Sequence, residues 1–294
     1  MEYDKFERIF NRYIFEKSKP DLIKKIATYP ERYVGLFRPT KPQSKIIQNL
    51  LQSHEIRFGD AFEILIHEYL KESGFSVLDN KFSASDGERL EVDQMFADQN
   101  TVFFVEQKIR DDHDSTKKRG QIENFERKTA AICQKYAGAD IRGFFYFIDA
   151  SFMKNKRFYT PEIERLSRDY GVSLHLSYGA EFFAGIGKPH AWDEILAHLL
   201  EWKSTIPELP EINFDKDPAA SLDELKALQP VEYRKLLDNP DLDDLLCVLF
   251  PEGKTPALLS AHFKERHESG DGAIYGKLYD LCMNTINRMK SRIV

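Results

Sequence analysis

Asp93, Glu106 and Lys108 are the residues of this sequence best suited to chemistry. The two acids are separated by twelve residues, and the lysine lies two positions past the second acid. They belong to the stretch Glu91–Lys108, E-V-D-Q-M-F-A-D-Q-N-T-V-F-F-V-E-Q-K. Two carboxylates on neighbouring strands offer hard oxygen ligands to a divalent cation. An ammonium beside them can lie over a phosphate that the cation has drawn in. Side chains alternate along a strand, so Glu106 and Lys108 point to one face. The chain has six acid-x-Lys triplets. Only this one ends an apolar strand run and follows a second strand that carries an acid. Glu91 is expected to share a strand face with Asp93 and to rival it as a ligand. Asp93 is preferred because it sits deeper in the strand.

The elements that must position these residues can be read around them. Leu90–Phe96 is expected to be one strand and Thr101–Val105 the next, β-branched and aromatic throughout. The polar residues Asp98, Gln99 and Asn100 form the turn between them. Upstream, Arg57–Ser73 carries Phe62, Leu65, Ile66, Tyr69 and Leu70 as the apolar stripe of a helix stopped by Gly74. This helix should pack on the sheet and bring Glu63 to the acids, as a ligand or as a residue that orients one. Phe75–Leu78 is a short strand, and Ser83–Arg89 a polar loop in which Asp86 and Glu88 are turn residues.

Past Lys108 the chain turns charged. Arg110, Lys117, Lys118, Arg119 and Gln121 are expected in a loop beside the carboxylates. Asp111, Asp112, Asp114 and His113 are interleaved with them, in a spacing that fits no separate metal site. Ile122–Ala137 reads as a helix with Ile122, Phe125, Thr129, Ile132, Cys133 and Tyr136 inward and Glu123, Glu126, Arg127 and Lys128 in solvent. Ile141–Ile148 is a strand. Phe152–Phe158 is a basic loop with Lys154, Asn155 and Arg157, and Thr160-Pro161-Glu162 opens a helix. Val172–Leu176 is a strand. Ala191–Trp202 is a helix with Trp192, Ile195, Leu196 and Leu199 inward. Strands joined by crossover helices imply an α/β fold, with a mixed central sheet flanked by helices.

Outside this core the pattern is helical. Residues 1–55 form an N-terminal segment of short helices, with Phe6, Phe10, Tyr13, Ile14, Ile23, Ile26, Leu36 and Ile46 at helical spacing. Tyr29, Tyr33 and Phe37, with Arg32 and Arg38, are expected to be packing and surface. Residues 56–203 form the core, and 204–218, with three prolines, a linker. Residues 219–294 form a helical C-terminal subdomain ending in an amphipathic helix over Ile274–Ile293.

Composition limits the function classes. A 42% hydrophobic and 31% charged chain of 294 residues is that of a globular protein. No apolar run is long enough to span a bilayer. Three scattered cysteines and a charged N-terminus without an apolar leader point to a reducing, cytoplasmic setting. A net charge of −6 argues against broad, non-specific nucleic-acid binding, while leaving room for a local basic cleft.

Asp93, then Glu106-Gln107-Lys108, within helix–strand–strand–strand–helix–strand, resembles the PD-(D/E)xK nuclease superfamily. Size and flanking helices make it similar to a type II restriction endonuclease. The resemblance covers roughly residues 57–180, and Val92 stands where the proline of the motif would be. It implies hydrolysis of double-stranded DNA at a short specific sequence. Asp93, Glu106 and the Gln107 carbonyl would be ligands of Mg²⁺, and Lys108, with Glu63, would share in catalysis. Arg110, Lys117, Lys118, Arg119, Gln121, Lys154, Asn155 and Arg157 become candidates for DNA contact, and a two-fold symmetric cut implies a homodimer. A repair or junction-resolving nuclease, and a non-catalytic DNA-binding module on the same scaffold, are the alternative readings.

Overall fold

The computed structural model describes residues 1–16, 18–35, 37–83 and 87–293. Leu36, expected among the N-terminal packing residues, and Asp86, expected in a turn, lie outside them. The chain forms two compact units. One consists of Met1–Tyr13 with Arg57–Ile206, the other of Ile14–Ile56 with Pro207–Val294.

The first unit is built on a five-stranded mixed sheet, the α/β core expected from the sequence. Its strands are β1 (Ser76–Val77), β4 (Gln94–Asp98), β5 (Thr101–Lys108), β6 (Asp140–Phe147) and β7 (Ser173–Tyr178), in the order β1-β4-β5-β6-β7. The β1–β4 and β4–β5 pairs are antiparallel, and β5–β6 and β6–β7 are parallel. Each parallel step needs a crossover, supplied by helices α4 (Ser115–Lys135) and α5 (Lys156–Tyr170). Two further strands, β2 (Lys81–Ser83) and β3 (Arg89–Glu91), pair with each other in a separate small sheet.

One face of β5 carries Val102, Phe104, Glu106 and Lys108 by alternation. Phe104 meets Phe125 of α4, ring centroids 5.5 Å apart, and Phe125 meets Phe145 of β6 at 5.2 Å. Gly143 of β6 makes this possible. A Cβ there would lie 2.3 Å from the Phe104 ring and 2.6 Å from the Leu174 side chain. The missing side chain is the space into which Phe104 packs.

Several boundaries differ from the sequence expectation, each for a physical reason. The strand expected over Leu90–Phe96 is broken at Val92 and Asp93. Val92 is buried and tied to Asn80 by two hydrogen bonds, Val92 N–H to the Asn80 carbonyl (3.1 Å) and Asn80 Nδ2 to the Val92 carbonyl (2.8 Å). Glu91 therefore ends β3, and Asp93 stands in the bend before β4, so the two do not share a strand face. The charged loop expected over Lys117–Gly120 is instead the start of α4. Asp114 caps it, accepting from the N–H groups of Thr116 (3.0 Å) and Lys117 (2.8 Å). Helix α5 begins at Lys156, so Pro161 lies inside the helix rather than opening it. Helix α3 runs unbroken over Pro42–Glu72, where short pieces were expected before Arg57. Leu196, expected inward on α7 (His190–Thr205), is 42% exposed.

The second unit is helical. α2 (Ser18–Thr28), the first turns of α3, and α8 (Pro218–Leu225) to α12 (Ala273–Ile293) share a leucine-rich core with Ile23, Tyr233, Leu246 and Phe263. Residues 207–217 contain no helix or strand, yet Asp215 is buried there and accepts from the N–H groups of Glu252 (2.8 Å) and Thr255 (2.7 Å). That carboxylate fixes the segment onto the start of α11 (Lys254–Glu268).

Candidate active site

The candidate site forms where β4 begins and β5 ends. In the β4–β5 ladder Gln94 is opposite Val105, the first pair of that strand. Beyond it the backbone has bent away, and the Asp93 side chain replaces it. Asp93 Oδ2 accepts the Gln107 N–H at 2.6 Å. One ligand candidate is thus also a strut that continues the ladder.

Glu106 and Lys108 follow on the same face of β5. Lys108 Nζ donates to Glu106 Oε1 at 2.8 Å and to the Gln107 carbonyl at 2.8 Å, and stands 3.8 Å from Asp93 Oδ2. Both carboxylates therefore lie within reach of one ammonium. Glu106 is buried, and its second oxygen, Oε2, accepts from Lys128 Nζ at 2.5 Å. Glu63 arrives on α3, where Gln94 Nε2 of β4 holds its backbone carbonyl at 2.7 Å. Glu91, the rival ligand, is 59% exposed in its side chain and lies 3.8 Å from Lys81.

Three carboxyl groups share this space with two ammoniums, and their acidities show it. Burial, then the Glu106 charge, raises the Asp93 carboxyl to about 6, against the opposing pull of Lys108 and the Gln107 N–H. Burial raises Glu63 to about 7, helped by Asp93 and Asp60 and opposed by Lys108. For Lys108, burial works to lower the pKa, but Glu106 and Asp93 outweigh it and the net shift is upward. Lys108 is therefore a charged ammonium. Perturbed acidities gathered in one cluster are common at working sites.

The donor set is of the right kind for a hard divalent cation, being carboxylates and a backbone carbonyl. Among the described residues, however, no group of three or more His, Cys, Asp or Glu side chains is arranged as a metal site. Both Glu106 oxygens and the Gln107 carbonyl are engaged by lysines. The residues fit a cation in a charge-compensated form, with ammoniums standing where part of its positive charge would be.

The other candidates gather at the C-terminal ends of β5 and β6, which point the same way because the strands are parallel. Ile148 N–H donates to the Lys108 carbonyl and Asp149 N–H to the Ile109 carbonyl, both at 2.9 Å. The two loops that follow are joined by a parallel bridge between Asp111 and Met153. Asp111 is fully buried and accepts from Asn155 N–H (2.8 Å), Asn155 Nδ2 (2.9 Å) and the Tyr178 hydroxyl (3.0 Å). Asn155 is thus a buried brace, with its amide committed to Asp111 and the His113 carbonyl, and it is not presented to a ligand. Gln121 is also engaged, accepting from the Tyr159 hydroxyl at 2.9 Å and lying 3.4 Å from His113 Nε2. His113 is itself held below its ordinary pKa by burial and by Lys117. Lys117, Arg119, Lys154 and Arg157 are exposed. Arg110 lies over the Phe152 ring and Lys118 over the Phe158 ring, 5.7 and 4.6 Å from the centroids.

Lys128 is the correction that matters most. It was expected in solvent and is buried against Glu106. Its position carried a signal, since Phe125, Lys128 and Ile132 recur at helical spacing and a charge inside a buried stripe requires a partner. Asp111, expected among the interleaved acids of a charged loop, likewise proves to be an internal anchor.

A family model described as "Type II restriction endonuclease, HinfI" matches residues 2–87 and 78–203. No curated protein and no solved structure matches the chain. The matched residues take in the whole mixed sheet and its crossover helices. A match of that extent, with two carboxylates and a lysine meeting at the end of the central strand, means that the chain belongs to the HinfI family of type II restriction endonucleases.

Proposed function

We propose that this chain is a Mg²⁺-dependent endonuclease that hydrolyses both strands of duplex DNA at a short specific sequence, acting as a homodimer in the cytoplasm. One observation carries the reading: Asp93, in the bend before β4, and Glu106 of β5 lie 3.8 and 2.8 Å from the same Lys108 ammonium. Asp93, Glu106 and the Gln107 carbonyl would hold the cation. When bound, Mg²⁺ supplies Lewis-acid polarisation of the phosphoryl group and acidifies water. Lys108, displaced from Glu106, donates to the attacking water and to the charge that grows on the phosphoryl oxygens. Glu63, its carboxyl raised to about 7 chiefly by burial, would exchange a proton near neutral pH beside Asp93. Arg110 and Lys154 of the two loops, with Lys117, Lys118 and Arg119 at the start of α4 and Arg157 at the start of α5, would position the duplex through its phosphates, and base edges in the grooves would supply the sequence.

Plasmid DNA incubated with the purified protein tests this directly. Discrete fragments with Mg²⁺, and intact plasmid with EDTA, are expected. Failure to cut any unmodified DNA with any divalent metal would overturn the reading.

A further inference from the structure

Glu106 is held at both oxygens, by two lysines of different character. Lys108 has a second acceptor in the Gln107 carbonyl, and its side chain is 28% exposed. Lys128 is buried, 9% exposed in its side chain. Glu106 is its acceptor, and no other is found for it among the described residues. Its backbone is fixed in the middle of α4, between Phe125 and Ile132, which are both fully buried against the sheet. A cation drawn to Glu106 competes with these two ammoniums for its oxygens. Lys108 can leave because it keeps another acceptor and a route to solvent. Lys128 has neither.

We propose that Lys128 is a positioning residue: it keeps hold of Glu106 Oε2 while a divalent cation is bound, so that only Oε1 is presented to the metal and Lys108 is the ammonium that gives way. This rests on the metal-dependent reading above and adds to it a division of labour between the lysines. The arrangement has two opposed effects. A buried positive charge next to the cation weakens metal binding. The same ammonium stops Glu106 from turning to bind through both oxygens, which keeps the cation in the place the reaction needs.

The two effects can be separated. Lys128→Met removes the charge at similar volume, and Lys128→Gln retains a donor without charge should the first variant fold poorly. Ca²⁺ and Mg²⁺ binding is measured by calorimetry on the full chain without DNA. Cleavage is measured at saturating Mg²⁺, and folding by the thermal midpoint. The expected result is a split, with cation affinity tightened by about threefold or more and the saturated rate lowered by about tenfold or more. Lys128→Arg, which restores the charge, should return affinity towards the wild-type value. A folding defect would not tighten metal binding, so it does not mimic this pattern. Unchanged or weaker cation binding in Lys128→Met and Lys128→Gln, or saturated cleavage within twofold of wild type, would overturn the proposal. If the wild-type protein binds cations but cuts no DNA, the endonuclease reading fails, and the affinity arm still decides whether Lys128 competes with the metal. Absence of any cation binding overturns both.

Discussion

At the scale of single residues, the site is a set of charges that compensate one another, and the lysines divide the work. Lys108 is the reactive one in the proposed mechanism. Lys108→Ala is expected to leave DNA binding intact and to lower cleavage by about 10²–10³-fold, the usual cost of losing one charge-stabilising donor. Gel-shift and single-turnover assays on one duplex check the two halves. A variant that cuts at the wild-type rate would remove Lys108 from the mechanism. Glu63 makes a separate prediction about stability. Its folded pKa, about 7, lies above the ordinary 4.5. Below pH 4.5 the group is protonated in both folded and unfolded chains and contributes no difference. Between 4.5 and 7 the unfolded chain releases this proton while the folded chain keeps it, so stability falls across that window and levels off above 7. Glu63→Gln should therefore raise the melting temperature at pH 8, by ~1–2 kcal/mol in stability once its partial exposure is discounted, and change nothing at pH 4. An equal gain at both pH values would contradict the burial and repulsion invoked here.

At the scale of elements, the sheet was largely legible in the sequence and the details of the site were less so. The apolar runs of β5 and β6 have one plausible structure, because β-branched and aromatic residues of that length suit a buried strand. Asp93, Glu106 and Lys108 were legible for the same reason, since charge at the end of such a run needs explaining. The break at Val92 was not, because it depends on Asn80, twelve residues away, holding the backbone from both sides. The early start of α4 depends on Asp114 acting as a cap, and in a run of three nearby aspartates nothing local singles it out. Lys128 was hidden because a lysine on a helix is usually solvated, and its partner lies on another element. Gly143 shows how tightly the elements constrain one another. Gly143→Ala is expected to destabilise the protein by about 1–3 kcal/mol, because the new methyl overlaps the Phe104 ring. It should also lower activity, since Phe104 supports α4 and with it Lys128. Denaturant midpoints and cleavage rates test this together, and a neutral substitution would show that Phe104 has room to move.

At the scale of the whole molecule, charge is distributed unevenly. The chain carries a net −6, yet exposed cations gather beyond Lys108, in the loops after β5 and β6 and on the first turns of α4 and α5. DNA binding should therefore come from a few local phosphate contacts rather than from the overall field. Arg119→Ala and Arg157→Ala are each expected to flatten the dependence of log K on log salt concentration by about one contact's worth, while weakening all sequences alike. Titrations of target and non-target duplexes at several salt concentrations measure this. A loss confined to the target sequence would instead assign those arginines to base reading. The homodimer proposed for a double-strand cut is checked by sedimentation of the free protein and of its complex with a single-site duplex.

Asp93 deserves caution in any attempt to trap the enzyme on its substrate. Its carboxylate fills a gap in the hydrogen-bond ladder, so replacing it with alanine would orphan a main-chain donor and disturb the strand end that carries Glu106 and Lys108. A dead enzyme made that way would not distinguish lost chemistry from a frayed scaffold. An inert but faithful form for co-crystallisation is better sought at Lys108, whose removal leaves the strand register untouched.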